Sequence, residues 1–171
     1  MRKLLLFVPL LSLGFALAHS SPAAEEAPSA SALFALTLTS VEGRPVALAA
    51  FAGKPLLVNF WARWCLPCRQ EIPDLAALQR RYAGSELTVI GIAVEDPEQR
   101  AAVRDFATAY EMDYLALIGG VDSAVELMRL LGNRKSGLPF SVIIDRAGRI
   151  QSRKLGAMTL SEMEAALRLL R

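Results

Sequence analysis

The chain has 171 residues, 53% of them hydrophobic, which is too apolar for a disordered protein and enough for one packed domain with an appendage. Its 19 basic and 17 acidic residues leave a formal charge of +2, which gives no basic stripe of the kind that nucleic-acid binding needs. The single histidine, His19, precedes all the periodic sequence, so Ser-His-Asp, Cys-His and histidine-rich zinc chemistry are excluded.

Met1, Arg2 and Lys3 make a basic start, residues 4–17 are mostly apolar, and Ala16, Leu17 and Ala18 supply a small-x-small cleavage pattern. This reads as a secretory signal peptide over 1–18, which predicts a periplasmic or other extracytoplasmic protein. The apolar run is shorter than the about 20 residues of a spanning helix and contains Pro9 and Gly14. An uncleaved N-terminus acting as a membrane tether is the alternative. Cleavage removes Arg2 and Lys3 and leaves 17 basic and 17 acidic residues, a formally neutral mature chain. Residues 19–31, "HSSPAAEEAPSAS", have little to bury and read as a flexible linker. The folded domain is expected over 32–171.

Phe34, Leu36 and Leu38 alternate with small or polar residues, a strand pattern. A turn over 41–44 precedes a returning strand over 46–48, so an N-terminal β-hairpin is expected. Residues 56–60 form an apolar run typical of a strand buried on both faces. A helix follows the cysteines to about Tyr82, with Gly84 ending it. Pro67 suits its first turn, and Pro73 is expected to kink it. Residues 87–94 read as a strand. Residues 98–110 have helical period, with Ala102, Val103, Phe106 and Ala109 on one face. Residues 114–118 read as a short strand, and 124–131 as a short helix ended by Gly132 and Asn133. Residues 141–144 and 150–155 read as a hairpin. Ser161 is expected to open the last helix, with Glu164 completing a capping box. Strands and helices in this alternation predict an α/β fold with parallel strands and helices on both faces.

The two cysteines stand in "NFWARWCLPCRQEIP", residues 59–73. As a staple, a bridge closing so short a loop contributes only about 2 kcal/mol. As a metal clip, one CxxC supplies two thiolates where a closed zinc site wants four ligands, although two thiolates suit Cu(I). As a redox couple, Cys65 and Cys68 fit well. Cys65 falls between a strand and a helix start, where the helix dipole and free N–H groups favour a thiolate. Cys68 lies one turn deeper, which separates an attacking sulfur from a resolving one.

"VNFWARWCLPCRQEIP" resembles the active-site segment of the thioredoxin superfamily, closest to the TlpA/ResA-like extracytoplasmic thiol–disulfide oxidoreductases. The resemblance covers roughly residues 33–170. It implies a thioredoxin-like fold, a central mixed sheet flanked by helices, with an N-terminal β-hairpin and a central strand-plus-helix insert between 87 and 117. "GLPFSVIIDRAGRI" resembles the segment holding that superfamily's cis-proline, which implies a cis bond between Leu138 and Pro139 facing the cysteines. Leu138 would then offer its backbone to an extended substrate chain. Asn59 departs from thioredoxin, which has a buried aspartate there. The TlpA/ResA-like branch instead carries a glutamate three residues after the second cysteine, matched by Glu71. That implies proton management for the cysteines, against the plainer reading of Glu71 as a solvated helix residue.

Trp64 is read as a partly exposed wall of the active surface and Trp61 as core. Glu95 and Asp96 end a strand on the side where such folds bind ligands, although acidic loop residues are usually solvated. Arg134 and Lys135 precede the cis-proline segment and suit acidic substrates. The function implied is an exported monomeric enzyme that reduces disulfides through Cys65 and Cys68, with no cofactor and no metal. Its substrates would be cysteine-containing exported proteins, in cytochrome c maturation or oxidase copper-site assembly. Its electrons would come from a membrane thiol-reducing donor. A disulfide-donating oxidase and a Cu(I)-binding chaperone remain the alternatives. A peroxiredoxin-type peroxidase fits less well, because it wants a lone peroxidatic cysteine.

Overall fold

The computed structural model describes residues 29–85 and 87–170. The signal peptide expected over 1–18, and 19–28 of the expected linker, lie outside them. Ser29 and Ala30, which fall in the expected linker, already contact the folded domain. Ser29 bridges to Arg149, Ala30 N donates to Gly148 O at 2.9 Å, and Ala30 is fully buried.

Strand order explains where the chemistry falls. The alternation at 34, 36 and 38 predicts a strand. Instead a short helix α1 (Ser31–Phe34) comes first and buries Leu33, and β1 (Thr37–Ser40) starts only afterwards. β2 (Pro45–Ala47) pairs antiparallel with it, and Leu48 turns into a 3-10 segment, Leu48–Phe51, rather than extending the strand. β3 (Leu56–Trp61) is buried at every position. α2 (Leu66–Arg81) carries Pro73 inside it, and Gly84 follows at φ +81°. β4 (Thr88–Ala93) leads through a 3-10 turn, Pro97–Gln99, into α3 (Arg100–Ala109). Val103 and Ala107 are the buried side chains of α3, so Ala107 and not Ala109 faces the core. β5 (Leu115–Ile118) completes the expected strand-plus-helix insert.

α4 (Val121–Leu130) begins directly after Gly120, whose φ is +71°, three residues ahead of expectation. β6 (Phe140–Ile144) and β7 (Ile150–Leu155) form the hairpin. α5 (Leu160–Leu167) opens two residues earlier than expected. Thr159, not Ser161, is the cap, its box partner is Glu162, and Leu160 N donates to Asp74 Oδ2 at 3.1 Å. Glu164 instead pairs with Arg81.

The seven strands lie in the order β2-β1-β5-β4-β3-β6-β7. β3 is parallel to β4, and β4 to β5, while the outer pairings are antiparallel. Alternation along β3 divides the core. Leu56, Val58 and Phe60 pack with α1 and α4 residues on one face, while Leu57 and Trp61 pack with α2, α3 and α5 residues on the other. The result is a thioredoxin-like α/β fold. β3, an interior strand, leads through a short turn to the cysteines.

Candidate active site

β3 ends at Trp61, and Cys65 caps the N-terminus of α2 in extended conformation. Cys65 N donates to Ala62 O at 3.1 Å, which tightens the turn. Cys65 and Cys68 are joined by a disulfide. Cys68 N donates to Cys65 Sγ at 3.2 Å, so the cap atom of this helix is the sulfur itself. The partial positive charge of a helix start favours a thiolate at that place. Cys65 is 5% exposed and Cys68 1%, which makes Cys65 the outer of the two.

Trp64, just before the disulfide, and Leu66, within its loop, are 69% and 64% exposed. Trp61 is core and stacks on Phe106 at 5.4 Å. Leu138–Pro139 is cis. Leu138 is half-buried and packs against the cluster that contains Cys65 and Cys68. Pro139 O accepts Gly156 N at 2.9 Å, so the segment before β6 is anchored to the end of β7.

Glu71, for which proton management stands against a solvated helix residue, is 1% exposed, because α2 lays it against the sheet. Its Oε2 accepts Asn59 Nδ2 at 3.1 Å and its Oε1 accepts Met158 N at 3.1 Å. Asn59 also donates to Ser141 Oγ at 2.9 Å. Burial pushes the Glu71 pKa up to about 7, against the lowering effect of the Met158 and Asn59 N–H groups. The carboxylates of Asp74 and Glu162 push it the same way as burial. A carboxyl tuned to that range exchanges protons near neutral pH.

Glu95 is also buried rather than solvated. Its Oε1 accepts Arg63 N and its Oε2 accepts Arg63 Nε, both at 2.7 Å. This clasp holds the turn that carries Trp64. Arg69 Nε donates to Arg63 O at 2.6 Å from the first turns of α2. Asp96 is exposed and accepts Val121 N at 3.0 Å, an anchor for the start of α4. Arg134 and Lys135 are exposed in a loop that Asn133 Nδ2 ties to Gly137 O at 2.9 Å. Sequence reasoning missed Arg63, Ser141 and the Met158 N–H. The last two lie 82 and 87 residues from their partners and carry no local signature.

The Redoxin family profile matches residues 22–167. Thioredoxin-like protein YneN of Bacillus subtilis (strain 168) is 35% identical over 134 residues, covering 77% of this chain and 74% of that protein. Thiol-disulfide oxidoreductase ResA of Bacillus thuringiensis subsp. konkukian (strain 97-27) is 30% identical over 131 residues, covering 77% and 72%. A crystal structure of a thiol:disulfide interchange protein, a thioredoxin family protein from Chlorobium tepidum TLS, superposes with a TM-score of 0.66. It is 29% identical, and the alignment covers 84% of this chain and 94% of that one. A thioredoxin-like sheet that ends in a CxxC disulfide, a matching family profile and relatives of this kind lead to one conclusion: the chain belongs to the Redoxin family, as a TlpA/ResA-like thiol–disulfide oxidoreductase of the thioredoxin superfamily.

Proposed function

We propose that this oxidoreductase reduces disulfides of exported proteins on the extracytoplasmic side of the membrane. The observation that carries the reading is Cys65 Sγ at the first turn of α2, accepting Cys68 N–H, with Glu71 of the same helix buried against Asn59 of β3. In the reduced protein the Cys65 thiolate attacks a substrate disulfide and forms a mixed disulfide. Cys68 then attacks Cys65 Sγ, and the electron pair of the broken S–S bond leaves with the substrate sulfur. Glu71 takes the Cys68 proton as that bond breaks. Trp64, Leu138 and Pro139 form the surface that receives the substrate, and the Leu138 backbone pairs with its extended chain.

A membrane thiol-reducing protein returns the dithiol, and the enzyme acts as a monomer. Its setting is cytochrome c maturation or the assembly of oxidase copper sites. The signal peptide over 1–18 exports it. Among the described residues no helix is long and apolar enough to cross a membrane.

One observation favours a second reading, disulfide donation. A helix start that stabilises the Cys65 thiolate stabilises the reduced form and makes the couple more oxidising. Glu71 opposes this, because its ionised form disfavours a nearby thiolate. A glutathione redox titration decides between them. A potential near the roughly −270 mV of thioredoxin is expected, and one near about −120 mV would establish the donor instead.

A further inference from the structure

The cis-proline side of the site carries an unbalanced charge. Residues 131–137 and β7 contain Arg134, Lys135, Arg153 and Lys154 and no acidic residue. Lys154 pairs with Glu162 of α5. The other three have no carboxylate partner among the described residues. Arg134 and Lys135 are exposed, and Arg153 donates its Nε to a backbone carbonyl, Leu131 O, at 2.6 Å.

Register brings these cations to the disulfide. Arg153 pairs with Val142 and Leu155 with Phe140, and paired residues share a face of the sheet. That face is the one on which α4 packs, and the 131–137 loop follows α4. Arg153 lies across Gly132, where a Cβ would stand 2.6 Å from its Nε. Leu155, an exposed side chain, lies on Gly137, where a Cβ would stand 3.0 Å from its Cδ1. The next residue is Leu138, which packs against the cluster of Cys65 and Cys68. The cations, Leu155, Leu138 and the disulfide therefore form one continuous strip, with Trp64 and Leu66 exposed at the cysteine end.

The loop is held in place. Asn133 is buried, its carbonyl accepts Ser136 N at 3.3 Å, and its Nδ2 donates to Gly137 O at 2.9 Å. Ser136 stands at φ +52°, a region that a serine adopts only where its surroundings impose it. Arg134 and Lys135 are thus presented from a fixed backbone.

We propose that this basic lip selects the substrate: an extended exported polypeptide with an apolar residue beside its cysteine and acidic side chains within about four residues of it. The inference rests on the proposed function, in which the Leu138 backbone pairs with an extended substrate chain. Lys135 lies three residues before Leu138, so a paired chain of that length reaches it. The apolar neighbour meets Trp64 and Leu66, and the carboxylates meet Arg134, Lys135 and Arg153. Exposed charges of this kind speed encounter more than they tighten the complex, and salt screens them. An anionic lipid surface also suits three cations, but it gives no reason for their continuity with Leu138 and the disulfide.

Three peptide disulfides test this on the purified dithiol protein. Each has one apolar neighbour beside its cysteine, and Asp, Asn or Lys at the flanking positions. At low salt the Asp peptide should be reduced about tenfold faster than the Asn peptide in second-order rate, and the Lys peptide more slowly, with the differences lost at about 0.5 M salt. Arg134→Gln with Lys135→Gln should bring the Asp-to-Asn ratio towards one. Arg134→Glu with Lys135→Glu should favour the Lys peptide. Both positions are exposed, and a ratio taken within each variant cancels any general loss of activity. Equal rates for the three peptides in the wild type overturn the proposal, as does an Asp preference that survives the charge reversal. If equal rates are joined by sedimentation with phosphatidylglycerol vesicles, the lip is a membrane contact instead. If no peptide is reduced, disulfide reduction itself falls and the lip with it.

Discussion

Asn59 donates from Nδ2 to Glu71 Oε2 at 3.1 Å, in the middle of the sheet and one turn of helix from Cys68. A neutral amide occupies the strand position, so the ionisable group comes from the helix above it. The amide also fixes that group, because Ser141 and Met158 complete the set of partners from β6 and from the loop before α5. The carboxyl is buried, oriented and tuned to about 7.

The cysteine roles are separable by substitution. Cys65→Ser is expected to abolish disulfide reduction. Cys68→Ser is expected to accumulate a mixed disulfide through Cys65, visible as a shifted band on a non-reducing gel. Cys65 caps the helix at its exposed end, while Cys68 lies within the first turn. Trapping by Cys65→Ser instead would reverse the assignment.

Glu71 ties stability to pH with a definite sign. Its folded pKa is raised from 4.5 to about 7, so the fold holds the proton more tightly than the unfolded chain does. The stabilisation is complete below pH 4.5, declines as pH rises towards 7, and amounts to about 3 kcal/mol. Glu162, held low chiefly by the Thr159 N–H, acts at lower pH with the opposite sign. Glu71→Gln should flatten the curve between pH 4.5 and 7 in urea denaturation while leaving the acid limb intact. An unchanged slope would mean that Glu71 does not titrate there.

Arg63 and Glu95 make a separate, structural prediction. Arg63→Ala leaves the buried Glu95 carboxylate with a single backbone N–H of the same residue. A loss of about 1–3 kcal/mol is expected, read from the shift of the urea midpoint. Trp64 fluorescence should also become more mobile, because the clasped turn carries that ring. A loss under about 0.5 kcal/mol would class the pair with ordinary surface contacts.

The N-terminus is decided by mass. The exported protein is expected to begin near His19, after the Ala16, Leu17, Ala18 pattern. Recovery of intact Met1 in the membrane fraction would establish the uncleaved tether.

What the sequence determined by itself is contiguous. An apolar strand, a turn, a CxxC and a helix lie within residues 56–81, and their order alone brings Cys65 to a helix start. The same locality made the 150–155 hairpin partner and the helix after the cysteines legible. Errors fell where two local readings competed. Phe34, Leu36 and Leu38 alternate like a strand, but burying Leu33 beside α4 favours one helical turn first. Thr159 and Ser161 offer the same cap chemistry, and the contact of Leu160 N with Asp74 selects the earlier one. Only the tertiary structure decided the surroundings of Glu71. Its spacing from Cys68 was visible in the chain, whereas its burial depends on Ser141 and Met158 arriving from the far end of the chain. The meeting of Trp61 and Tyr114 over Gly91 is of the same kind, since it follows from strand register. A pKa is set by desolvation and by partners in space, and neither is written in the order of neighbouring residues.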